Sequence, residues 1–259
     1  MRFLATLLFL AALACAEPPP GYALKWADEF DGTQLDCAKW KVWLPGKRRD
    51  AINTADAVSV GDGMLTITTF TEGGKHYTGM ISTQGIFEPS FGYYEARIRW
   101  GDAPATWSAF WTISDLMLLP DMGEHIGNVA ASGNEIDFVE HRESDHEGKR
   151  MAGQANFTLH WDGYAAHRNG SGFLTPDLGL DKGFHIYGCE WSETGYRFFI
   201  DGKMLWETHG PVSRRPQCIV LSMEVSDSLW SSAIPKGGYG DRATSKVKLV
   251  VDYVRFYSK

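Results

Sequence analysis

Apolar and polar residues alternate with a period of two in several stretches of the chain. The clearest stretch covers residues 94–100, where Tyr94, Ala96, Ile98 and Trp100 alternate with charged side chains. Successive side chains of a strand point to opposite faces of a sheet, so this pattern predicts a strand that is buried on one face. Similar patterns occur at 64–69, 156–161, 184–191 and 247–257. We therefore expect the chain to be built mainly from β-strands.

Turn signals between these stretches indicate one compact unit. Asp201-Gly202 lies between the strand-like segments 197–200 and 203–206, which predicts a β-hairpin. Residues 115–119 form the one short helical segment that the pattern predicts, and Pro120 ends it. No internal repeat divides the 259 residues, and this length suits a single β-sandwich.

The segment 134–141 carries three carboxylates among strand-forming residues. Glu135 and Asp137 are two positions apart, so a regular strand places them on the same face. Glu140 is an odd number of positions from Glu135, and a regular strand would turn it to the opposite face. A one-residue β-bulge at Phe138-Val139 would turn Val139 inward and bring Glu140 round to join the other two acids. We therefore predict a bulge at this point.

Three carboxylates on one face repel one another, so at least one of them should keep its proton at neutral pH. One ionised and one protonated carboxyl group are what a retaining glycosidase requires. Two other interpretations of the spacing remain open. The acids can be the solvated face of an antiparallel sheet, or they can form a calcium-binding cluster.

The run Glu-Ile-Asp-Phe-Val-Glu resembles the bulged Glu-x-Asp-x-x-Glu signature of glycoside hydrolase family 16, which includes laminarinases, agarases, carrageenases and lichenases. The resemblance implies an all-β, concanavalin A-like jelly-roll β-sandwich with a concave substrate cleft. It also implies that residues 17–259 form a single catalytic domain. Further segments resemble the family in the same order along the chain, namely 26–32, 63–68, 91–99, 107–111, 196–202 and 251–257.

The resemblance implies a role for each acid. Glu135 matches the nucleophile, Glu140 matches the acid/base, and Asp137 matches the residue between them that tunes the other two. On this basis we expect a retaining endo-glycosidase that requires no cofactor, and a β-1,3-glucan of the laminarin type is the favoured substrate. Hydrolysis of algal galactans, as by agarases and carrageenases, is one alternative, and a non-catalytic carbohydrate-binding sandwich is the other.

Several aromatic and polar residues are candidates for sugar contacts, because aromatic faces pack against the C–H faces of sugar rings. Trp107 and Trp111 match aromatic cleft positions of the family. Asn53 is expected to supply the polar group of an asparagine that the family commonly has where this chain has Ala57. The full set of candidates is Trp107, Trp111, His160, Trp161, Asn53 and Trp230.

The resemblance also implies a structural calcium ion on the convex face, far from the cleft. Asp252 matches the side-chain ligand of that ion, and Glu29 and the backbone of Gly63 are further expected ligands. Oxygen ligands of this kind suit calcium. The alternative for Asp252 is an ordinary surface acid.

The N-terminus predicts secretion. Arg2 precedes an apolar run over residues 3–13 and the small-x-small sequence 14–16, which is typical of a signal peptide over residues 1–16. The run is too short for a stable membrane span. A lipid anchor on Cys15 is the alternative. The protein is therefore expected outside the cytoplasm, with no membrane span.

Charge and cysteine content narrow the partners. The formal net charge is −7, and removal of Arg2 leaves 24 basic against 32 acidic residues, or −8. Such a chain is a poor nucleic-acid binder, although the local patch Lys47-Arg48-Arg49 could attract a sulfated polysaccharide. We expect a polysaccharide partner and a monomer. Cys189 and Cys218 lie on predicted strands, where they form either a disulfide or two small buried residues.

Overall fold

A computed structural model describes residues 18–228 and 230–259. The predicted signal peptide and Cys15 lie outside the described residues. Strands dominate the described part of the chain, where the one α-helix is α1 (Val129–Ser132) and short 3-10 turns cover 55–57, 115–118 and 123–125. None of these helices is long and apolar enough to cross a membrane. The predicted helical segment after Ser114 is the turn at 115–118.

The strands are numbered in chain order. They are β1 (Ala23–Asp28), β2 (Lys41–Val42), β3 (Gly46–Arg48), β4 (Ala51–Asn53), β5 (Val58–Gly61), β6 (Met64–Thr68), β7 (Phe70–Glu72), β8 (Lys75–Thr78), β9 (Met80–Ser82), β10 (Gly92–Arg99), β11 (Thr106–Ile113), β12 (Glu135–Arg142), β13 (Asn156–Trp161), β14 (Asn169–Leu174), β15 (His185–Ser192), β16 (Gly195–Ile200), β17 (Lys203–Thr208), β18 (Cys218–Val225) and β19 (Lys248–Ser258).

Two large sheets form the sandwich. The outer sheet has the order β17-β16-β15-β10-β19-β6-β5, with β1 also paired to β19, and the cleft sheet has the order β14-β13-β12-β11-β18-β9-β2. A small third sheet, β3-β4-β8-β7, stands beside them and contains the parallel pair β4 and β8. The two large sheets and the mainly β composition confirm the predicted all-β jelly-roll sandwich.

Apolar side chains from both large sheets fill the space between them. Tyr94 of β10 packs on Phe138 of β12, with ring centroids 4.8 Å apart, and Phe138 meets Phe110 of β11 edge to face at 4.9 Å. All three side chains are fully buried. Burial of large aromatic side chains supplies the main favourable free energy of such a core. The alternating pattern of β10 therefore identified the face that packs in the core, but burial on one face only is wrong, because Tyr93 and Glu95 on the opposite face are buried as well.

The predicted bulge in β12 is present. Asp137 pairs with Thr158 of β13 and Glu140 pairs with Asn156, so Phe138 and Val139 together face the single residue Phe157. Both bulge side chains are fully buried in the core between the sheets. The bulge turns two successive apolar side chains inward and returns Glu140 to the face of the other acids.

The two strand cysteines are not bonded to each other. Cys189 of β15 is a free thiol packed between the sheets, whereas Cys218 of β18 is a free thiol packed among residues on the cleft side of its sheet. Their side chains therefore project into different clusters. Both behave as small buried residues, and the disulfide alternative is wrong for this structure.

Candidate active site

The three acids of β12 open into one cleft on the concave side of the cleft sheet. Its cavity volume is about 440 Å³. Glu135, Asp137 and Glu140 lie in its floor and are each mostly buried. The cleft is lined by these acids together with Trp43, Leu44, Arg48, Arg49, Trp107, Ala109, Trp111, Ile113, Leu118, His160, Tyr164, Arg168, Ser222 and Glu224.

Glu140 is held by two donors from the neighbouring strands. The indole Nε1 of Trp107 donates to Oε1 at 3.0 Å, and the hydroxyl of Thr158 donates to Oε2 at 2.5 Å. Trp107 is on β11 and Thr158 is on β13, so strands on both sides of β12 fix the orientation of this carboxyl group. Such fixing is what a group that transfers protons at a defined position requires.

Glu135 is held from the rim of the cleft. The hydroxyl of Tyr164, in the loop after β13, donates to Oε2. The Nε2 atom of His160 lies 3.9 Å from Oε1. Glu135 and His160 are directly opposite each other in the β12–β13 pairing. The sheet register therefore places the histidine beside this carboxylate, in the cleft where the sequence predicted a sugar contact.

Asp137 lies between the two glutamates and has the least support. Its Oδ2 atom is buried and has no hydrogen-bond donor among the described residues. The nearest cationic candidate is His160, whose Nε2 is 3.6 Å from Oδ2, beyond ordinary hydrogen-bond distance. A buried carboxylate without donors costs far more free energy than the protonated acid, so burial favours the acid form of Asp137.

Burial raises the pKa of all three carboxyl groups. The pKa of Asp137 is raised well above its usual range, by burial and then by the charges of Glu135 and Glu140. Burial raises the pKa of Glu135 to about 8, against the opposing hydrogen bond from Tyr164. Burial also raises the pKa of Glu140, although the hydrogen bonds from Thr158 and Trp107 oppose the shift. The cluster therefore holds protons at neutral pH, which provides a carboxylic acid next to a potential carboxylate.

Glu135, Asp137 and His160 each offer a potential metal-ligand atom within 4.8 Å of the others. A cation held between them would occupy the space in front of the Glu135 carboxylate. A sugar needs that same space if Glu135 is to reach its anomeric carbon. We therefore interpret these three side chains as a substrate site.

Aromatic side chains form one side and the floor of the cleft. Trp107 stands between the guanidinium of Arg49, 4.4 Å from the ring centroid, and the ring of Trp230, 5.4 Å away. Trp111 lies deeper and is nearly buried, with its Nε1 donating to Ser222 at 3.0 Å. Contacts with Arg49 and Trp230 therefore hold Trp107 at the wall of the cleft, and Trp111 forms part of its floor.

Three expected sugar-binding residues do not line the cleft. Trp161 packs against the core between the sheets, because it follows His160 on β13 and adjacent side chains face opposite ways. Asn53 is buried and donates to the carbonyl of Leu44 at 3.2 Å, so it shapes the loop that carries Leu44. Trp230 reaches the cleft only through its contact with Trp107.

Three arginines also line the cleft, and they are absent from the predicted sugar contacts. The guanidinium groups of Arg48 and Arg49 both donate to the carboxylate of Glu224. Arg168 lines the cleft from the loop after β13. Burial lowers the pKa of the nearby His160, and the positive charge of Arg168 lowers it further. The basic patch at residues 47–49 was a signal for the first two arginines. Arg168 had no comparable signal.

The expected calcium ligands do not form a calcium cage. Asp252 accepts a hydrogen bond of 2.6 Å from Arg97, and Glu29 makes two bonds of 2.8 Å with Arg255. Each carboxylate thus has a guanidinium as its partner, so the negative charge that would attract calcium is already compensated. The expected ion site at Asp252, Glu29 and Gly63 does not fit this structure.

Comparison with known proteins agrees with the geometry. The family model described as Beta-porphyranase A-D, GH16 domain, matches residues 23–259. Beta-porphyranase B of Phocaeicola plebeius is 27% identical over 266 residues, covering 85% of this chain and 80% of that protein. Glucan endo-1,3-beta-glucosidase A1 of Niallia circulans is 26% identical over 282 residues, covering 92% of this chain.

The chain spans only 38% of the length of that glucosidase. Among solved structures, porphyranase B of Zobellia galactanivorans has a TM-score of 0.71 at 21% identity and covers 90% of both chains, a likeness of fold. With the family model matching almost all of the described residues, and the acids together in the cleft, the chain belongs to glycoside hydrolase family 16.

Proposed function

We propose that this hydrolase is secreted and cleaves an anionic algal galactan of the porphyran type by a retaining mechanism. The observation that carries the proposal is the set of three arginines, Arg48, Arg49 and Arg168, in the same cleft as the three acids. Glu224 provides one negative charge against the two guanidinium groups that it binds. Arg168 adds a third positive charge, so the three arginines and Glu224 together carry three positive charges and one negative charge, a net charge of +2, and this part of the cleft suits a sulfated sugar.

A β-1,3-glucan, which the sequence favoured, is neutral and would provide no anion for Arg168 or for the positive charge on Arg48 and Arg49 that Glu224 does not compensate. The match to the porphyranase family model also supports the galactan. We therefore rank the galactan first and keep laminarin as the second candidate. The signal sequence at residues 1–16 supports secretion, and we propose a monomer that works without a cofactor.

The proposed chemistry takes two displacements. In the first, a carboxylate oxygen of Glu135 bonds to the anomeric carbon, the glycosidic C–O bond breaks, and Glu140 gives its proton to the departing oxygen. In the second, Glu140 takes a proton from water as the water oxygen bonds to the anomeric carbon, and the bond to Glu135 breaks with its electron pair returning to Glu135. A protonated Asp137 keeps a third negative charge away from these steps.

The experiment that tests the substrate is a comparison of reducing-end release from porphyran, agarose, carrageenan, laminarin and lichenan. We expect faster release from the sulfated polymers than from the neutral ones, because a sulfate group can pair with the arginines, and the fastest release from porphyran, because the matching family model is the porphyranase one. Faster release from laminarin would reverse the ranking. Release from none of the five would favour the non-catalytic carbohydrate-binding sandwich.

Arg168→Gln should raise the KM for porphyran by about tenfold, since one charge-assisted contact is lost. It should leave the hydrolysis of a neutral polysaccharide almost unchanged. The effect should shrink as salt is added, because ions screen an exposed charge. Arg242→Gln is the matched control, since Arg242 is also an exposed arginine but pairs with Asp56 and does not line the cleft. Equal effects on charged and neutral polymers would contradict sulfate recognition by Arg168.

A further inference from the structure

The loop between β13 and β14 carries Tyr164 across the cleft above Glu135. Asp162, at the start of the loop, adopts a left-handed conformation with φ 63°. Its carboxylate accepts the backbone N–H of Gly127 at 2.8 Å and the side-chain amide of Asn169 at 3.1 Å. The backbone N–H of Gly163 donates to the sulfur of Met117 at 3.4 Å. The residues before Tyr164 are thus fixed to the segment between β11 and β12.

Tyr164 presents its ring to the cleft and its hydroxyl to Glu135. The residue is 49% exposed, so no core packing accounts for its place. The hydroxyl donates to Oε2 of Glu135, whereas Oε1 lies on the side of His160. One carboxylate oxygen is therefore engaged by the loop, and the other lies 3.9 Å from Nε2 of His160.

We infer that Tyr164 is a positioning residue for the reaction, whose hydroxyl orients Glu135 and stabilises its carboxylate form. The inference rests on the proposed role of Glu135 as nucleophile. A hydroxyl that donates to a carboxylate favours the charged form over the acid. It also limits rotation of the carboxyl group and leaves Oε1 for attack on the anomeric carbon.

The hydroxyl remains a donor throughout the working range. Although about half of the residue's surface is exposed, its hydroxyl lies buried in the cleft, and this burial, followed by the charge of Glu135, raises the pKa of Tyr164 well above its usual value, so the phenol does not ionise. No proton is transferred to or from Tyr164 in either displacement. In the covalent intermediate, Oε2 becomes the carbonyl oxygen of the ester and still accepts the bond.

Other charged groups around Glu135 also set its ionisation. Glu140 and Glu224 raise the pKa of Glu135, and Arg48 lowers it. A change in the pH profile has to be measured with all of these groups left in place. The titratable or charged side chains that share the cleft with Glu135 and Tyr164 are Asp137 and Glu140 on β12, His160 on β13, Arg168 in the following loop, Arg48 and Arg49 at the small sheet, and Glu224 on β18.

Tyr164→Phe removes only the hydroxyl. We expect the acidic limb of kcat/KM for porphyran to move up by about one pH unit, because the ionised nucleophile loses a donor. If the wild type hydrolyses another β-glycan instead, that polymer replaces porphyran in the assay. Tyr239→Phe is the matched control, since its hydroxyl donates to the carbonyl of Pro104 at 3.0 Å away from the cleft. It should leave the profile unmoved.

A second readout needs no substrate. The raised pKa of Glu135 means that its charged form appears only as the pH rises, and the Tyr164 bond stabilises that form. The loss of Tm in Tyr164→Phe should therefore grow between about pH 5 and about pH 8, whereas the loss in Tyr239→Phe should stay constant.

An unmoved acidic limb of the pH profile together with a loss of Tm that stays constant with pH would overturn the inference. A wild type that hydrolyses no β-glycan would instead overturn the proposed function, and the Tm comparison would still test the bond.

Discussion

Glu135→Gln should slow hydrolysis by at least about a thousandfold while the protein remains folded. The amide keeps the shape of the side chain and can still accept from Tyr164, but it lacks the charge that attacks the anomeric carbon. Reducing-end release measures the rate, and thermal unfolding reports the fold. At about pH 8 the variant should unfold no earlier than the wild type. A carboxyl group whose pKa is raised on folding lowers the stability as the pH rises from its pKa in the unfolded chain, about 4.3, to its raised pKa of about 8 in the folded protein. The amide escapes this loss.

Glu190→Gln is the matched control for this result. Glu190 is also a buried glutamate, but it lies on β15 of the outer sheet, where it accepts a bond of 2.7 Å from Tyr22. Its replacement should lower Tm and leave kcat almost unchanged. If Glu135→Gln keeps more than about a tenth of the wild-type rate, Glu135 is not the nucleophile.

Glu140→Ala should stop hydrolysis of the polysaccharide but spare the first displacement on a substrate with an activated leaving group. Such a leaving group departs without the proton that Glu140 supplies. The variant should then accumulate the covalent intermediate, because no base remains to deprotonate water. Added azide needs no base, so it should restore turnover and yield a β-glycosyl azide. The measurement is the rate and the product configuration with and without azide.

Thr158→Val is a useful comparison for this experiment, because it removes one of the two donors that hold Glu140 and leaves the carboxyl group itself. It should weaken hydrolysis without creating azide dependence. An α-glycosyl azide from Glu140→Ala would mean that azide attacks the substrate directly. That product would contradict a covalent intermediate on Glu135.

The parts of the fold that follow from local patterns could be predicted from the sequence. Tyr94, Ala96 and Ile98 alternate with charged residues, and the structure buries all three. The bulge in β12 was predictable because three acids and three apolar residues compete for two faces, and only an inserted residue satisfies both sets. The cleft face of β12 therefore followed from the sequence of a single strand.

Contacts between distant loops could not be predicted in this way. Tyr164 and Arg168 belong to a loop with no periodic pattern, and that loop reaches Glu135 through bonds to residues around 117 and 127. Asn53 was placed at the cleft by analogy with a neighbouring position, whereas its amide is used to hold a backbone carbonyl. Alternation alone would have turned Trp161 away from the cleft, because His160 already faces it.

At the convex face, the ion site that the family resemblance implies differs from the contacts that this chain makes. The position of Asp252 matches a calcium ligand, but Arg97 and Arg255 lie close enough to engage the two expected carboxylates. A sequence motif does not show which cationic side chains from other segments will lie next to it in the folded protein. The same limit applies to the substrate, since the arginines of the cleft come from separate segments.

The configuration of the first product tests the central claim most directly. Proton NMR during the first minutes of hydrolysis, before mutarotation, distinguishes the two anomers of the new reducing end. Double displacement through Glu135 predicts that the β-anomer appears first and that the α-anomer grows in later. An α-anomer that appears first would show a single displacement by water, and it would contradict the roles given to Glu135 and Glu140.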